Sequence, residues 1–384
     1  MRILHVISTL DPAAGGVAEA VRLLLDYGPE GYAQEVVTLD DPHAPFLSEI
    51  AFTVHALGPR NSVYSRTSKL IPWLKANRAR FDGVVVHGMW QYCGYAVWRT
   101  MGGRVPYVVL PHGMLDPYFK YAFPAKHWKK WLYWLPVEYW VLRGAYRVLF
   151  TCAAEAELAT HSFWLHRWTP CVAPLGTIPP EGDPKLQREA FFAACPAAQD
   201  RRFLLFLGRI DRKKGCDLLI DAFVKLATRD LELNLVMAGP DPQNWRTELE
   251  RGTLAAGLTA RVHWPRMLRG DAKWGAFHAA KAFVLPSHQE NFGIAVAEAL
   301  ACGTPVLLSD KVNIAREIVD DGAGSMEPDT AAGTERLLER WIELPPAERQ
   351  AMAVRARECF HKRYDMRENA KAIVRVFEND SCEL

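Results

Sequence analysis

The sequence predicts an α/β protein built from two doubly wound, Rossmann-like domains. Apolar runs without polar alternation, such as 84–86 and 107–110, are typical of parallel strands buried on both faces. Segments with helical spacing separate these runs, and the same series restarts at 203–207. Between the two series, residues 174–184 hold four prolines and two glycines, which is typical of a linker between domains.

The order of the elements sets the expected domain boundaries. We predict an N-terminal domain over 1–174, a linker over 175–185, a C-terminal domain over 186–364 and a final helical segment over 365–384. The predicted strands of the first series are 3–7, 36–39, 53–57, 84–86, 107–110 and 147–150. Those of the second are 203–207, 233–237, 261–264, 282–285 and 305–308. The last helix is expected over 367–377, followed by a frayed tail.

Composition excludes several classes of protein. The 384 residues include 46 basic and 44 acidic ones, and this net charge of +2 gives no support to nucleic-acid binding. Hydrophobic residues at 49% exclude a disordered chain. The eight cysteines form no C-x-x-C pair, which favours a reducing compartment. Without a long apolar run or a signal peptide, we expect a soluble cytoplasmic protein, with peripheral membrane contact left open.

The clearest candidate site follows the predicted strand 282–285. Glu290 lies in a loop, and the next residues, Asn291, Phe292, Gly293 and Ile294, open a helix whose N–H groups suit an anion or sugar hydroxyls. Glu298 lies one turn into this helix among apolar residues, so its carboxylate needs a donor such as a ribose hydroxyl. Pairing of Glu298 with a nearby lysine or arginine is the alternative.

A second candidate follows strand 203–207. Gly208 and Arg209 precede a tight turn that ends with Lys214, so a guanidinium and an ammonium group could both reach a diphosphate. The spacing lacks the Walker A pattern, which excludes P-loop ATPase chemistry as an interpretation. A solvated basic turn is the alternative.

The N-terminal series contributes weaker candidates. Gly15 and Gly16 lie between the first strand and first helix, where a backbone can approach a phosphate. His87, three residues before Trp90, and His112 each follow an apolar strand and precede a glycine. A histidine there could donate to a sugar hydroxyl, whereas the alternative is a packed, hydrogen-bonded side chain.

Residues 118–147 interleave aromatic and basic side chains. They contain eleven tyrosine, phenylalanine and tryptophan residues and six lysines and arginines, against one acidic residue, Glu138. This pattern suits peripheral contact with an anionic membrane. A core helix pair with a solvated basic side is the alternative.

Together these motifs resemble the retaining glycosyltransferases of family 4, which have the GT-B fold with an interdomain cleft. The resemblance rests on Glu290-x7-Glu298, on Gly208-Arg209 with Lys214-Gly215, on Gly15-Gly16 and on the run 301–306. It spans nearly the whole chain and is strongest over 203–328. Among family members, the chain is similar to bacterial transferases that assemble exopolysaccharide, capsule or lipopolysaccharide on polyprenyl carriers.

The resemblance implies a role for each candidate. It places Glu298 on the ribose of a nucleotide sugar, Glu290 on the donor sugar, and Arg209 and Lys214 on the diphosphate. It also implies that Gly16 lies near the phosphates and His112 near the transferred sugar. The segment 262–267, with His263, Arg266 and Met267, is expected beside the base, although Pro265 stands where relatives commonly have glycine. Gly15, His87 and Trp90 are assigned to the acceptor side, and the last helix is expected to cross back to the N-terminal domain.

The implied reaction is sugar transfer with retention of anomeric configuration, without cofactor or metal. Preplaced positive charge would stabilise the departing nucleoside diphosphate, and the sequence has no Asp-x-Asp motif. No side-chain nucleophile is assigned. The donor base, the sugar and the acceptor stay open, with a lipid-linked saccharide as the expected acceptor. Two alternatives remain: a sugar-nucleotide 2-epimerase and a nucleotide-sugar-binding protein without turnover.

Overall fold

The chain folds into two compact units, described here from a computed structural model. The structure describes residues 1–60 and 64–378, so the tail predicted to fray lies, from residue 379 onward, outside the described residues. Unit 1 comprises residues 1–176 together with the chain from Met366, and unit 2 comprises residues 177–365.

Unit 1 is built on a parallel sheet of seven described strands. Their order in the sheet is β3-β2-β1-β4-β5-β6-β7, and every neighbouring pair is parallel. The strands are β1 (Arg2–Ile7), β2 (Ala33–Thr38), β3 (Thr53–Ala56), β4 (Gly83–His87), β5 (Tyr107–Leu110), β6 (Arg147–Phe150) and β7 (Pro170–Val172).

Helices cover both faces of this sheet. They are α1 (Gly16–Asp26), α2 (Leu70–Asn77), α3 (Tyr92–Met101), α4 (Tyr118–Ala122), α5 (Pro124–Tyr133), α6 (Tyr139–Gly144), α7 (Ala153–Ala159) and, at the end of the chain, α16 (Met366–Arg375). Because side chains alternate along a strand, Leu4 and Val6 join one apolar cluster, while Ile7 joins another with Val21 and Leu25 of α1. Both faces are therefore buried, as the uninterrupted apolar runs predict.

Unit 2 repeats this architecture with six described strands in the order β10-β9-β8-β11-β12-β13, again parallel throughout. The strands are β8 (Arg202–Leu207), β9 (Leu233–Ala238), β10 (Val262–Arg266), β11 (Ala282–Leu285), β12 (Val306–Ser309) and β13 (Gly324–Glu327). The helices are α8 (Pro184–Ala194), α9 (Cys216–Leu226), α10 (Arg246–Ala255), α11 (Gly270–Ala279), α12 (Ile294–Ala301), α13 (Ala315–Asp320), α14 (Ala331–Glu343) and α15 (Pro346–Arg363).

Each sheet has one point where the strand order reverses. In unit 1 the chain moves outward from β1 to β3 and returns to β4 on the other side of β1. In unit 2 it moves from β8 to β10 and returns to β11. Ligands of open α/β sheets bind in the crevice at the carboxyl ends of the strands beside such a point. The loops after β1, β4, β8 and β11 are therefore the places where a site is expected.

Several elements differ from the sequence-based expectation. Strands β7 and β13 were not predicted, because one is three residues long and the other, Gly324–Glu327, is half polar. Helix α8 begins at Pro184, inside the predicted linker, because proline fits the first turn of a helix and Asp183 caps it.

The aromatic segment contains an irregular turn. Between α5 and α6, residues Trp134–Glu138 form a π-helical turn in which the Tyr139 N–H donates to the Trp134 carbonyl. Pro136 lies within this turn and has no N–H to donate to the regular ladder, so the helix widens around it. No helix within residues 1–60 and 64–378 is long and apolar enough to cross a membrane.

The contact between α8 and α11 depends on a glycine. A Cβ added to Gly275 in α11 would lie 1.8 Å from the Gln187 carbonyl oxygen of α8. We therefore expect Gly275→Ala to destabilise the protein by about 1–3 kcal/mol, because the two helices must separate. Gly252→Ala in α10 is the matched control, since its nearest neighbour is a methyl carbon 3.9 Å away. The control should be neutral or stabilising by up to about 1 kcal/mol in urea denaturation. Equal destabilisation by both substitutions would contradict this account.

Candidate active site

In unit 2, the loops after β8 and β11 meet at the point of strand reversal. Gly215 has a φ of +66°, and a Cβ there would lie 2.1 Å from the Pro286 carbonyl oxygen, so only glycine allows this approach. The His288 N–H donates to the Lys213 carbonyl oxygen at 2.8 Å and fastens the two loops together. The two motifs that were 76 residues apart in the sequence thus form one surface.

Lys214 and Glu290 form an ion pair on this surface. Both side chains are only about one-sixth exposed, so their charges lie in a partly desolvated environment where electrostatic interactions are stronger than in water. The Glu290 backbone is held by Lys311 and Asn313, through hydrogen bonds of 2.9 and 3.0 Å. The Lys214 ammonium group is therefore held beside the carboxylate, whereas Arg209 and Arg212 of the same turn are exposed.

Arg209 stands at the carboxyl end of β8 with its side chain exposed. It makes no hydrogen bond or ion pair with the part of the chain that the structure describes. Gly208 just before it hydrogen-bonds the Ala238 carbonyl oxygen at 3.0 Å, and Gly239 passes so close that a Cβ would lie 1.8 Å from the Gly208 oxygen. The backbone under Arg209 is thus fixed while its guanidinium group stays available to an anion.

The helix after Glu290 begins as the sequence predicts. Gly293 has a φ of +74° and is the N-cap of α12, so Ile294 is the first helical residue. Phe292 is buried and packs edge-to-face on Tyr364, while Asn291 accepts a hydrogen bond from Asn313 at 3.2 Å. Backbone N–H groups at the start of a helix attract anions.

Glu298 is buried and pairs with a lysine that the sequence analysis missed. The Lys273 Nζ donates to Glu298 Oε1 at 2.6 Å, and the same ammonium lies 4.2 Å from the Trp274 ring centre. The structure therefore agrees with the alternative stated above, in which a lysine or arginine pairs with Glu298. Lys273 could have been suspected from its place near the start of the helix after β10, but its pairing depends on tertiary packing.

The three residues expected beside a nucleotide base are separated along β10. His263 lies near the amino end of the strand, is buried, and hydrogen-bonds the Asn234 amide oxygen at 3.0 Å. Arg266 and Met267 lie at the carboxyl end and are exposed. Pro265 coincides with an irregularity in the pairing of β9 and β10, and Arg266 adopts a φ of +61°. The structure therefore brings Arg266 and Met267, and not His263, to the edge of the sheet that holds Arg209.

In unit 1, the loop after β1 holds the predicted glycines. Gly15 has a φ of +96° and is the N-cap of α1, and Gly16 is the first residue of that helix. Both are exposed, and a Cβ at Gly15 would meet nothing within 4 Å. Gly15 is therefore required by its backbone conformation and not by close packing.

Three histidines, one in β1, one at the end of β4 and one just after β5, form a hydrogen-bonded chain. His5 Nδ1 lies 2.9 Å from His87 Nε2, and His87 Nδ1 lies 3.1 Å from His112 Nε2. Gln34 closes the inner end, with its amide oxygen 3.0 Å from His5 Nε2. His5 and His87 are buried, whereas His112 is partly exposed and has a φ of +50°. The sequence predicted His87 and His112 at the sheet edge but not His5, which lies inside an apolar run.

Burial keeps this chain neutral. Desolvation lowers the pKa of His5 and of His112 to about 4, and burial together with the neighbouring histidines lowers that of His87 well below its usual value. The backbone after His112 is held by buried Glu155, which accepts a 2.7 Å hydrogen bond from the Gly113 N–H. The His112 ring thus stands at the carboxyl end of β5 as a neutral, oriented imidazole.

Trp90 lies at the end of the loop after β4. Its backbone adopts a φ of +66°, and its N–H donates to the buried Glu138 carboxylate at 2.6 Å. Burial raises the pKa of Glu138 to about 7. The one acid in the aromatic–basic segment therefore holds the loop that follows His87.

The comparisons with known proteins agree on the class of protein. The chain has the GT-B fold of glycosyltransferases. Its structure is similar to that of sucrose-phosphate synthase from Thermosynechococcus elongatus, with a TM-score of 0.75 and 22% identity over 98% of both chains. It is also similar to the Anabaena protein HepE solved in complex with UDP and glucose, with a TM-score of 0.75 and 17% identity over 99% of this chain and 100% of that one.

Two stretches of the chain match known families of glycosyltransferases. Residues 15–176 match the glycosyl transferase 4-like domain, and residues 187–359 match the family of glycosyl transferases group 1. The chain therefore contains one region similar to each of these two families. It is 30% identical to the D-inositol 3-phosphate glycosyltransferase of an Arthrobacter species over 191 residues, which are 48% of this chain and 44% of the relative. The chain matches about half the length of such curated relatives.

The neutral histidine chain predicts a pH dependence of stability. The unfolded chain protonates its histidines near pH 6.5, whereas folded His5 and His87 resist protonation until the pH is much lower. The free energy of unfolding should therefore fall as the pH drops from 6.5 toward 4, by about 1.4 kcal/mol per pH unit for each histidine. Urea unfolding at several pH values measures this slope.

Two variants isolate the contribution of the buried histidines. His87→Asn removes one buried site of protonation and should give a shallower slope than the wild-type protein. His43→Gln alters an exposed histidine and should leave the slope unchanged. A wild-type slope in His87→Asn would show that the histidine chain does not control acid stability.

Proposed function

We propose that the protein is a retaining, metal-independent hexosyltransferase that moves a sugar from a nucleoside-diphosphate sugar to a saccharide acceptor. The observation that carries this proposal is the cluster at the strand reversal of unit 2. There, Lys214 is paired with Glu290 and Arg209 is exposed without a partner. Two cations beside the first turn of α12 are suited to a diphosphate. The UDP and glucose bound to the Anabaena relative support a nucleotide-sugar donor.

In this proposal unit 2 binds the donor. Arg209 and Lys214 hold the diphosphate, Glu290 accepts hydrogen bonds from the sugar hydroxyls, and Glu298 accepts them from the ribose. The Lys273 ammonium lies 2.6 Å from Glu298 Oε1, so a cation offsets the cost of burying this carboxylate. A ribose hydroxyl then binds an oriented carboxylate whose desolvation has already been compensated.

The chemical step follows from the charge that develops on the donor. The bond between the anomeric carbon and the diphosphate oxygen breaks, and its electron pair goes to the diphosphate. The acceptor oxygen bonds to the same face of that carbon, and its proton passes to the departing diphosphate oxygen. Arg209 and Lys214 stabilise the leaving group, because fixed positive charges need no reorganisation during the reaction.

Unit 1 supplies the acceptor side. We assign the loop at Gly15 and Gly16, the neutral ring of His112 and the loop from His87 to Trp90 to this role. A neutral imidazole can hydrogen-bond sugar hydroxyls without competing for the phosphate charge.

We further propose a lipid-linked acceptor at the inner face of the cytoplasmic membrane, in the synthesis of exopolysaccharide, capsule or lipopolysaccharide. Large apolar side chains are exposed in the segment 118–147: Tyr121, Phe123, Trp128, Leu132, Leu135 and Trp140. Exposed Lys126 and Lys129 lie among them. Exposed aromatic groups interleaved with lysines favour contact with an anionic bilayer, while buried Trp134 shows that the same segment also anchors in the core.

Nucleotide binding tests the donor site. We expect one of UDP, GDP, ADP, CMP and dTDP to stabilise the wild-type protein in a thermal-shift assay. At about 100 times its dissociation constant a ligand adds about 2.7 kcal/mol. Glu298→Ala should lose this stabilisation, because the buried carboxylate is the proposed ribose contact. Glu348→Ala, an exposed position on α15, is the matched control and should keep it. If no nucleotide stabilises the wild-type protein, the proposed donor site is wrong.

Turnover tests the roles of the two cations. Arg209→Ala and Lys214→Ala should each lower kcat by about 10²–10³-fold, since each removes one charge from the leaving diphosphate. Arg251→Ala, at an exposed arginine of α10, should match the wild-type protein. Release of nucleoside diphosphate measures the rate, and the anomeric proton signal of the product reports retention. Formation of an epimeric nucleotide sugar without acceptor would instead identify an epimerase, and binding without turnover a binding protein.

A further inference from the structure

A small cavity opens in unit 1 beside the predicted acceptor loops. It has a volume of about 110 Å³ and is lined by Trp90, Met114, Phe119, Phe123, Lys126 and Lys130, with His127 behind them. Sites for whole ligands have volumes of roughly 300–1,000 Å³, so this cavity fits one compact chemical group and not a saccharide. Met114 lies two residues after His112, and Trp90 lies three residues after His87. The cavity is therefore a continuation of the acceptor side.

Lys130 is an unpaired cation in this cavity. Its ammonium lies 4.3 Å from the Trp90 ring centre and 5.5 Å from the Phe119 ring centre. Within residues 1–60 and 64–378 it makes no hydrogen bond or ion pair. Burial and the charge of Lys126 lower its pKa to about 8, although Glu138 partly opposes them. A half-buried ammonium packed between two aromatic rings and without a hydrogen-bond partner is poorly solvated, and an anion would compensate that cost.

A second donor in the cavity wall also has no partner. The Trp90 indole N–H is buried and makes no hydrogen bond with the described part of the chain. Glu138 uses its carboxylate on the backbone N–H of the same tryptophan. The ammonium therefore lies in the cavity, whereas the Trp90 indole nitrogen exposes less than 1 Å² of surface and His127 stacks on Phe163 at 4.6 Å. Donors without acceptors favour a ligand that has several acceptor oxygens and negative charge.

The cavity is continuous with an apolar surface. Phe123 lines the cavity and is also 51% exposed. Tyr121 on α4 is 72% exposed, and Trp128 and Leu132 are exposed on the face of α5 opposite Lys130. An occupant that places an anionic group beside Lys130 can therefore lay an apolar chain over Phe123.

We propose that this cavity binds the phosphoryl group of an amphipathic acceptor, a phosphate or diphosphate joined to an apolar chain that lies along α4 and α5. The proposal rests on the proposed function, because it makes that lipid the carrier of the acceptor saccharide. Lys130 binds the phosphoryl oxygens, with exposed Lys126 as a second cation beside it. The apolar chain covers Phe123 and Tyr121.

Calorimetric titration of the full chain with farnesyl diphosphate, without any sugar donor, tests the cavity. Lys130→Met should weaken binding at least about tenfold, because it removes the central charge and keeps the aliphatic stem. Lys129→Met, one residue earlier on the same helix and outside the cavity, is the matched control and should stay within about twofold of wild type. Equal affinity of the Lys130 and Lys129 variants would overturn the proposal.

Titrations with other ligands distinguish between the possible sources of the phosphoryl group. Inorganic pyrophosphate and farnesol, each carrying one half of the probe, should bind at least about tenfold more weakly than farnesyl diphosphate. Phosphatidylglycerol vesicles that displace the probe completely would identify a bilayer headgroup site and overturn the acceptor assignment. Lys214→Ala should lower kcat of transfer by about 10²–10³-fold and leave farnesyl diphosphate binding unchanged, so failure of the proposed function and failure of this cavity give different results.

Discussion

The donor-side site depends on one close approach of two backbones. At Gly215 there is no space for a side chain, because the Pro286 carbonyl oxygen occupies the place of a Cβ. This contact lets the loop after β8 lie directly on the loop after β11, and the hydrogen bond from His288 to Lys213 holds it there. The ion pair of Lys214 and Glu290 follows from this backbone geometry. Two adjacent parallel strands therefore deliver charged groups from distant parts of the sequence to one point.

The architecture could be predicted from the sequence, because buried parallel strands have a distinctive hydrophobic pattern. Runs such as Val84–Val86 are apolar without alternation, and only burial on both faces of a sheet explains them. The fold class was thereby correct, including the two sheets. Short or polar edge strands such as β7 and β13 lack this signal and were missed. The predicted domain limits stay predictions, and so do the roles of the site residues, which the proposed experiments address.

Partners created by tertiary packing were not readable from the sequence. Lys273 reaches Glu298 from another helix, and no local spacing marks that pair. In the sequence, His5 is a single polar residue within an apolar strand. Only the fold shows that it hydrogen-bonds His87, which in turn hydrogen-bonds His112. Lys130 resembles one lysine among many in the aromatic segment, and only the fold shows that its ammonium is enclosed by Trp90 and Phe119. Motif spacing identifies residues at strand ends, whereas burial and pairing decide their charge state.

The chain of histidines also has a direction. Suppose that the Gln34 amide oxygen accepts a hydrogen bond from the His5 Nε2–H. The Nδ1 of His5 must then accept a hydrogen bond from His87, and the Nδ1 of His87 one from His112, because each ring is neutral. In that arrangement the His112 Nε2–H donates to His87, and the His112 Nδ1 is an acceptor without a proton. Turning the amide of Gln34 by 180° reverses all three tautomers, and His112 then presents an N–H instead. An uncharged side chain at the far end of the chain thus decides whether the outermost ring offers a ligand an acceptor or a donor.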